Sequence, residues 1–469
     1  MSAQGLTPQA LLGAKAPSWV RTHQWSLTGL LFGAALGLLA AKGSMLGVLA
    51  LIGAGLVGVA LATPQLTIYA VVLSILMDSM GTLDINVSFI PITISKLVVG
   101  GSLLLWFVHA SFWRKPMFAW YDFSWGFVAV LTSMTVSLAQ RSNPYYAMEG
   151  VGDVATVVML AILLHYIMAV VNTVWLRRIQ VGFAFFALFF LLAALASGFG
   201  VERNTASFRN PNEFGTVVLL VGLASLGVFS SLPRSWIRSL ALLLLCSSMV
   251  VCVNQSGSRG TLITLLVLTP GIIWVLRRDM GLLLMVSAAV VVLIPIFVDV
   301  EYLIDRTRPL WEAEVYRPSG LGQSSIESRL GFATLAVELF RENPIWGVGV
   351  QGFIGRSAEY FPLNGGRDVH NAYLQIAVEQ GLVGITAHLY LLYTLLRWSW
   401  ARWAGAVSAQ QRMVLTGYVL ALLSYALVNV TSGKLMTFAI GYFVLGLTLV
   451  TLHLASVAPQ VGAFEEEPT

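Results

Sequence analysis

Residues 259–278 read "RGTLITLLVLTPGIIWVLRR", an apolar run with one arginine at its start and a pair at its end. A helix rises 1.5 Å per residue, so an apolar run of roughly 20 residues is long enough to cross hydrocarbon. The same pattern recurs along the whole chain. Of its 469 residues 57% are hydrophobic and 10% are charged, whereas soluble domains carry about 25% charged residues. The composition therefore predicts an all-α polytopic membrane protein with about 12–14 transmembrane helices. Apolar runs mark spans at about 26–41, 45–62, 65–77, 93–110, 123–139, 154–175, 179–197, 214–231, 236–253, 260–276, 280–298, 371–396, 411–430 and 435–456. The third is short for a crossing. The first is expected to be an uncleaved helix, because the run leads straight into a second span.

Orientation follows from Lys and Arg in short loops, which stay cytoplasmic. Arg114–Lys115, Arg177–Arg178, Arg234 with Arg238, Arg277–Arg278, and Arg397, Arg402 and Arg412 all fall on one side if Arg21 and the N-terminus are inside. Both termini are then cytoplasmic. The expected organisation is a cytoplasmic segment 1–25, a first bundle of about 11 spans at 26–298, a long periplasmic loop with short helices at 299–370, C-terminal spans at 371–456, and a cytoplasmic tail at 457–469. The net charge of +5 speaks to this orientation; no basic tract points to nucleic acid. Cys246 and Cys252 share one span, which supports neither a disulfide framework nor a cysteine metal site.

The opposite face holds charges placed against the usual bias: Arg141, Arg203, Arg209 and Arg259. In "ASFRNPNEFGTVVLL", residues 206–220, Asn210 can cap a helix, Pro211 fits its first position and Glu213 has capping-box spacing. That is a well-made helix start. Arg209 beside it adds a guanidinium to the anion-attracting N–H groups and dipole of a helix N-terminus. In "NQSGSRGTLITLLVL", residues 254–268, small residues free the backbone where Arg259 enters a span. Arg259 reads either as an interfacial anchor that snorkels or as a ligand contact.

The long segment carries "SSIESRLGFATLAVELFRENPIWGVGVQGF", residues 324–353. Ser324 and Glu327 have capping-box spacing and Asn343–Pro344 ends the helix. Arg329 lies near the helix start, and Gly347, Gly349 and Gly352 follow as a turn without side-chain bulk. Residues 299–369 hold seven arginines against ten acids, so most of these charges read as a solvated face.

Next comes "DVHNAYLQIAVEQGLVGI", residues 368–385. If the helix begins at His370, that residue shares a face with Tyr373, Leu374, Ala377, Gly381 and Gly384. Glu379 then lies on the opposite side, roughly 13 Å along the axis, and does not orient His370 from within the helix. It is expected to meet another helix, since a charge inside a span finds a partner. His370 can exchange a proton near neutral pH. His23, His109, His165, His388 and His453 are scattered, and no Asp-x-Asp motif occurs.

In their order, "RNPNEFG", "SGSRG", "FRENPIWGVGVQGF" and "HNAYLQIAVEQGLVG" resemble the O-antigen ligase and polymerase superfamily, bacterial membrane glycosyltransferases of the GT-C class. The resemblance is strongest over about residues 200–390. It implies a GT-C-like fold in the bacterial inner membrane with an active site facing the periplasm. The implied reaction moves a glycan from undecaprenyl diphosphate to a sugar hydroxyl, the acceptor being lipid A–core in a ligase or another lipid-linked glycan in a polymerase. The family's diphosphate-binding arginines match Arg209 and Arg259, and its motif histidine matches His370. Arg329, Arg141, Asn371 and Asn210 are weaker candidates. GT-C enzymes of other kinds place a catalytic carboxylate in an early external loop, where this chain has Asp78 and Asp84; loop-structure roles are expected for both. Guanidiniums that stabilise the departing diphosphate need no metal, so neither metal nor cofactor is expected. Membrane lipids and polysaccharide-assembly proteins are the further partners implied, and no nucleic acid. The rival from another class is a flippase for lipid-linked oligosaccharides. A flippase would spread its cations along a path through the bundle, whereas the anomalous arginines here gather at one face.

Overall fold

The computed structural model describes residues 63–79, 84–87, 90–112, 120–139, 144–196, 211–277, 325–360, 367–406, 408–431 and 439–457, with short stretches between 281 and 288. The chain divides into two units, Met1–Leu66 and Thr67–Thr469. In the first, the described part is a single 3-10 turn, Pro64–Leu66. The expected spans at 26–41 and 45–62, and nearly all of 280–298, lie outside the described residues.

The second unit is an all-α bundle. Its helices are α1 Thr67–Ser79, α2 Ile94–Phe112, α3 Ser124–Leu138, α4 Pro144–Val170, α5 Thr173–Ala196, α6 Pro211–Ser231, α7 Trp236–Gln255 and α8 Arg259–Leu276. They continue as α9 Ser325–Glu342, α10 Gly352–Tyr360, α11 Ala372–Ala404, α12 Ala409–Val428 and α13 Ala439–Val457. Among the described residues seven helices are long and apolar enough to cross a membrane, and four shorter apolar ones accompany them. This is a multi-pass membrane protein.

Two elements depart from the expectation. Between α1 and α2 a short antiparallel hairpin pairs β1, Asp84–Val87, with β2, Ile90–Thr93, so Asp84 sits in a strand opposite Thr93. The alternation of Ile85, Val87, Ile90 and Ile92 suits a pleated pair. The loop expected at 140–153 is largely helix instead. Pro144 is the first residue of α4, a position where its missing N–H breaks no helical bond. The extra turns carry Asp153 on the helix itself.

The centre of the bundle is α6, nearly all of whose side chains are buried. It packs most extensively on α12, with α5 and α7 on its other flanks. Gly227 and Gly417 set this crossing: a Cβ on either would lie under 3 Å from the other helix's backbone. Small residues at a membrane helix crossing let backbones approach and compensate for the missing hydrophobic drive between helices in lipid. At the α6–α7 turn Arg238 is buried and donates to the carbonyls of Phe229 and Ser230 at 3.1 Å each, closing the last turn of α6. Two other histidines are held by contacts inside the bundle. His165 lies 3.1 Å from Ser124 Oγ and 2.8 Å from the carbonyl of Ala161, and His388 lies 2.8 Å from that of Gly384. Cys246 and Cys252 are buried free thiols.

α9 and α10 form a second layer on one end of the bundle. Phe332, Leu335, Ala336 and Leu339 of α9 and Phe353 of α10 close a small core with Val369 and with Val378 of α11. The i, i+3, i+4, i+7 spacing of the α9 residues gives that helix one apolar stripe, which it spends here.

Candidate functional site

Five helix ends meet at one end of the bundle. The α7–α8 connection is only Ser256–Gly257–Ser258. Gly257 takes a positive φ of 56°, the Ser258 side chain caps α8, and Ser256 Oγ accepts the N–H of Ser258 at 3.2 Å. The start of α6 abuts this turn, since a Cβ on Gly215 would lie 2.8 Å from Ser256 Oγ and 3.0 Å from Thr261 Oγ1. On its other side the start of α8 touches the end of α12, where a Cβ on Gly260 would come within 1.8 Å of Thr431 Oγ1. The end of α12 in turn caps α11, because the carbonyl of Asn429 accepts the N–H of Ala372 at 2.9 Å. Arg259, first residue of α8, and His370, two residues before α11, therefore belong to one end of the bundle. Arg259 is half-buried there.

The helix does not begin at His370. Asn371 is the N-cap, its side chain accepting from Leu374 N–H at 3.0 Å. This weaker site candidate thus has a structural role. His370 sits outside the helix as a joint with φ 58°, in the left-handed region that non-glycine residues avoid at a cost of about 1–3 kcal/mol. Neighbouring bonds hold it there. Ser357 of α10 both accepts the N–H of Arg367 and donates to its carbonyl, at 3.1 Å. Val369 donates its N–H to Gln375 Oε1 at 2.9 Å and buries its side chain in the α9–α10 core.

The half-buried imidazole is held below its ordinary pKa, first by desolvation and then by the guanidiniums of Arg329 and Arg367. The positive end of the α11 dipole acts in the same direction. A neutral imidazole can accept a proton, which suits it to general-base work.

Arg329 of α9 is thus brought into electrostatic range of His370. Arg209, Asn210 and Arg141 lie outside the described residues, although Pro211 does open α6 as its spacing predicts. No group of three or more His, Cys, Asp or Glu able to hold a metal occurs among the described residues.

The expected geometry of α11 needs one correction, because its register is broken. Gly381 has φ 66° and ψ −164°, which interrupts the helix. In a membrane the backbone groups freed by such a break need partners, and the segment after α9 supplies them. Val348 and Gly349 donate N–H to the carbonyls of Val378 and Glu379 at 2.9 Å. Leu382 and Val383 donate to those of Pro344 and Ile345 at 2.8 and 3.3 Å. Ser137 of α3 adds a 2.6 Å bond to the Glu379 carbonyl. Gly347 and Gly381 are the contact points, as a Cβ on either would lie within 2.5 Å of the opposing backbone. Gly381, below His370, therefore admits a loop. Glu379, not expected to orient His370 from within the helix, is linked to it along the helix, for its Oε1 accepts from Gln375 Nε2 at 2.6 Å and Gln375 holds the Val369 peptide. Gln375 and Glu379 at i, i+4 share a helix face, and this spacing was the overlooked signal.

The cavity against this end is apolar. It is lined by Ala372, Tyr373, Ile376 and Leu395 of α11, Tyr425 of α12 and Tyr442 of α13, among others.

No curated protein matches the chain. Residues 241–389, from within α7 through the α7–α8 turn and the α9–α10 layer to the broken part of α11, match a family model described as O-antigen ligase. That stretch contains Arg259, Arg329 and His370 together, and over it the chain is similar to the O-antigen ligase family.

Proposed function

We propose that this end of the bundle faces the periplasm of the bacterial inner membrane and transfers a glycan from undecaprenyl diphosphate to an acceptor sugar hydroxyl. The observation that carries the reading is His370, a neutral imidazole fixed in a strained joint at the bundle end where α8 begins with Arg259. In the reaction His370 accepts the proton of the attacking hydroxyl as the new glycosidic bond forms. The bond from the anomeric carbon to the diphosphate breaks, and its electrons leave with the diphosphate. Arg259 and Arg209 take up that growing negative charge, which fixed guanidiniums do without reorganisation and without a metal. One displacement inverts the anomeric centre. The apolar cavity behind Tyr373 is compatible with a hydrocarbon chain close to the reacting groups. Ligase and polymerase share this chemistry and differ in the acceptor alone.

The test uses purified protein, a defined undecaprenyl-diphosphate oligosaccharide, and lipid A–core present or absent, all in EDTA. Transfer to lipid A–core marks a ligase, and a lengthened lipid-linked glycan marks a polymerase. His370→Ala is expected to reduce either product by at least about 100-fold. Product from His370→Ala at near-normal rate removes the base assignment. No product from any combination, together with donor movement across vesicles, makes the protein a flippase.

A further inference from the structure

The described chain holds two non-glycine residues at positive φ, Gln351 at 63° and His370 at 58°. Both lead to one buried carboxylate, that of Glu379, which is 5% exposed. The backbone N–H of Gln351 donates to this carboxylate directly. His370 is reached in two steps, from the carboxylate to Gln375 Nε2 at 2.6 Å and from Gln375 Oε1 to the Val369 N–H at 2.9 Å. The Gln351 side chain also donates to Asp153 of α4, joining that helix to the same group.

A carboxylate inside an apolar span is unfavourable and marks a role beyond packing. A carboxyl oxygen of Glu379 accepts from Gln375 Nε2, which turns the Gln375 amide nitrogen toward Glu379 and its oxygen toward Val369. We propose that Glu379 and Gln375 are positioning residues for His370, the carboxylate fixing the Gln375 amide and the amide fixing the Val369 peptide so that the left-handed joint presents the imidazole to the acceptor hydroxyl. The role rests on the glycan-transfer reading above. Because the carbonyl of Glu379 is also bonded to Gly349 and Ser137, the same residue ties the joint to the loop after α9 and to α3.

Gln375→Met, which keeps length and apolar packing, and Glu379→Gln, which keeps shape, test the pair. In folded, monodisperse protein Gln375→Met is expected to lower kcat about 10- to 100-fold, and Glu379→Gln about 3- to 30-fold. The KM for the lipid-linked donor stays within about threefold, because the arginines are untouched. A Gln375→Met kcat within about twofold of the unsubstituted protein, or a loss confined to donor KM, overturns the proposal. If the unsubstituted protein transfers no glycan, the functional reading fails and the positioning role is read without turnover. Diethyl pyrocarbonate modification of His370, followed by mass spectrometry, then changes at least about fivefold in Gln375→Met; an unchanged rate overturns it.

Discussion

At the scale of the residue, the protonation of His370 is the property with the most direct consequence. Its folded pKa lies below the ordinary 6.5 because of burial and the nearby Arg329 and Arg367. A base works when unprotonated, so the acidic limb of kcat/KM against pH is expected below that value. Removing one repelling cation raises the pKa. Arg329→Gln should therefore move the limb toward neutral pH, measured with the defined donor over pH 5 to 8. A limb that stays in place disconnects Arg329 from His370. Stability carries the same sign. The unfolded chain takes up the proton first, so the contribution of His370 is present above the ordinary value and lost as pH falls through the folded one. Residue identity at this site was legible in the sequence, since His370, Arg259 and Arg329 all stood in the quoted motifs. The conformation of His370 was not, because a left-handed joint depends on bonds from α10, α11 and α12 that lie far apart in the chain.

At the scale of the element, the break in α11 and the loop that fills it behave as one unit. The glycines of "ENPIWGVG" and "EQGLVG" read separately as a turn and as part of the face shared with His370. Only the fold shows that their backbones exchange four hydrogen bonds. The polar triplet Gln375, Glu379 and Gln380 within an apolar run was the local sign that this helix does not cross as a plain cylinder. Gly381→Ala places a Cβ about 2.2 Å from the Ile345 carbonyl oxygen and keeps an unfavourable φ. It is expected to cost about 1–3 kcal/mol and to lower the melting temperature in detergent. Gly100→Ala is the control, because a Cβ there meets nothing within 4 Å. In mid-helix that change should be neutral or stabilising by up to about 1 kcal/mol. Equal melting temperatures for the two variants would mean that the interlock contributes nothing to stability.

At the scale of the whole molecule, apolar periodicity was enough to place the long helices among the described residues, because membrane spans are long and all backbone groups must pair internally. It was weakest where elements are short or amphipathic: the hairpin at 84–93, the extension of α4 to Pro144, and the layer built by α9 and α10. Periodicity also leaves orientation to the arginine count alone, and orientation decides whether His370 meets periplasmic acceptors. The fold makes that count testable. Glu359 of α10 belongs to the layer on the site end, where α10 packs on α11. Gln410 is the second residue of α12, whose far end bonds to the start of α11, so the two lie about 30 Å apart along the bundle. Both positions are exposed, and Cys246 and Cys252 are buried, which keeps background labelling low. A membrane-impermeant maleimide applied to spheroplasts should label Glu359→Cys at least about tenfold more than Gln410→Cys, and lysis should bring Gln410→Cys to parity. The reverse pattern would put both termini and the arginine-rich turns outside, and His370 would then face the cytoplasm, where a periplasmic glycan acceptor cannot reach it.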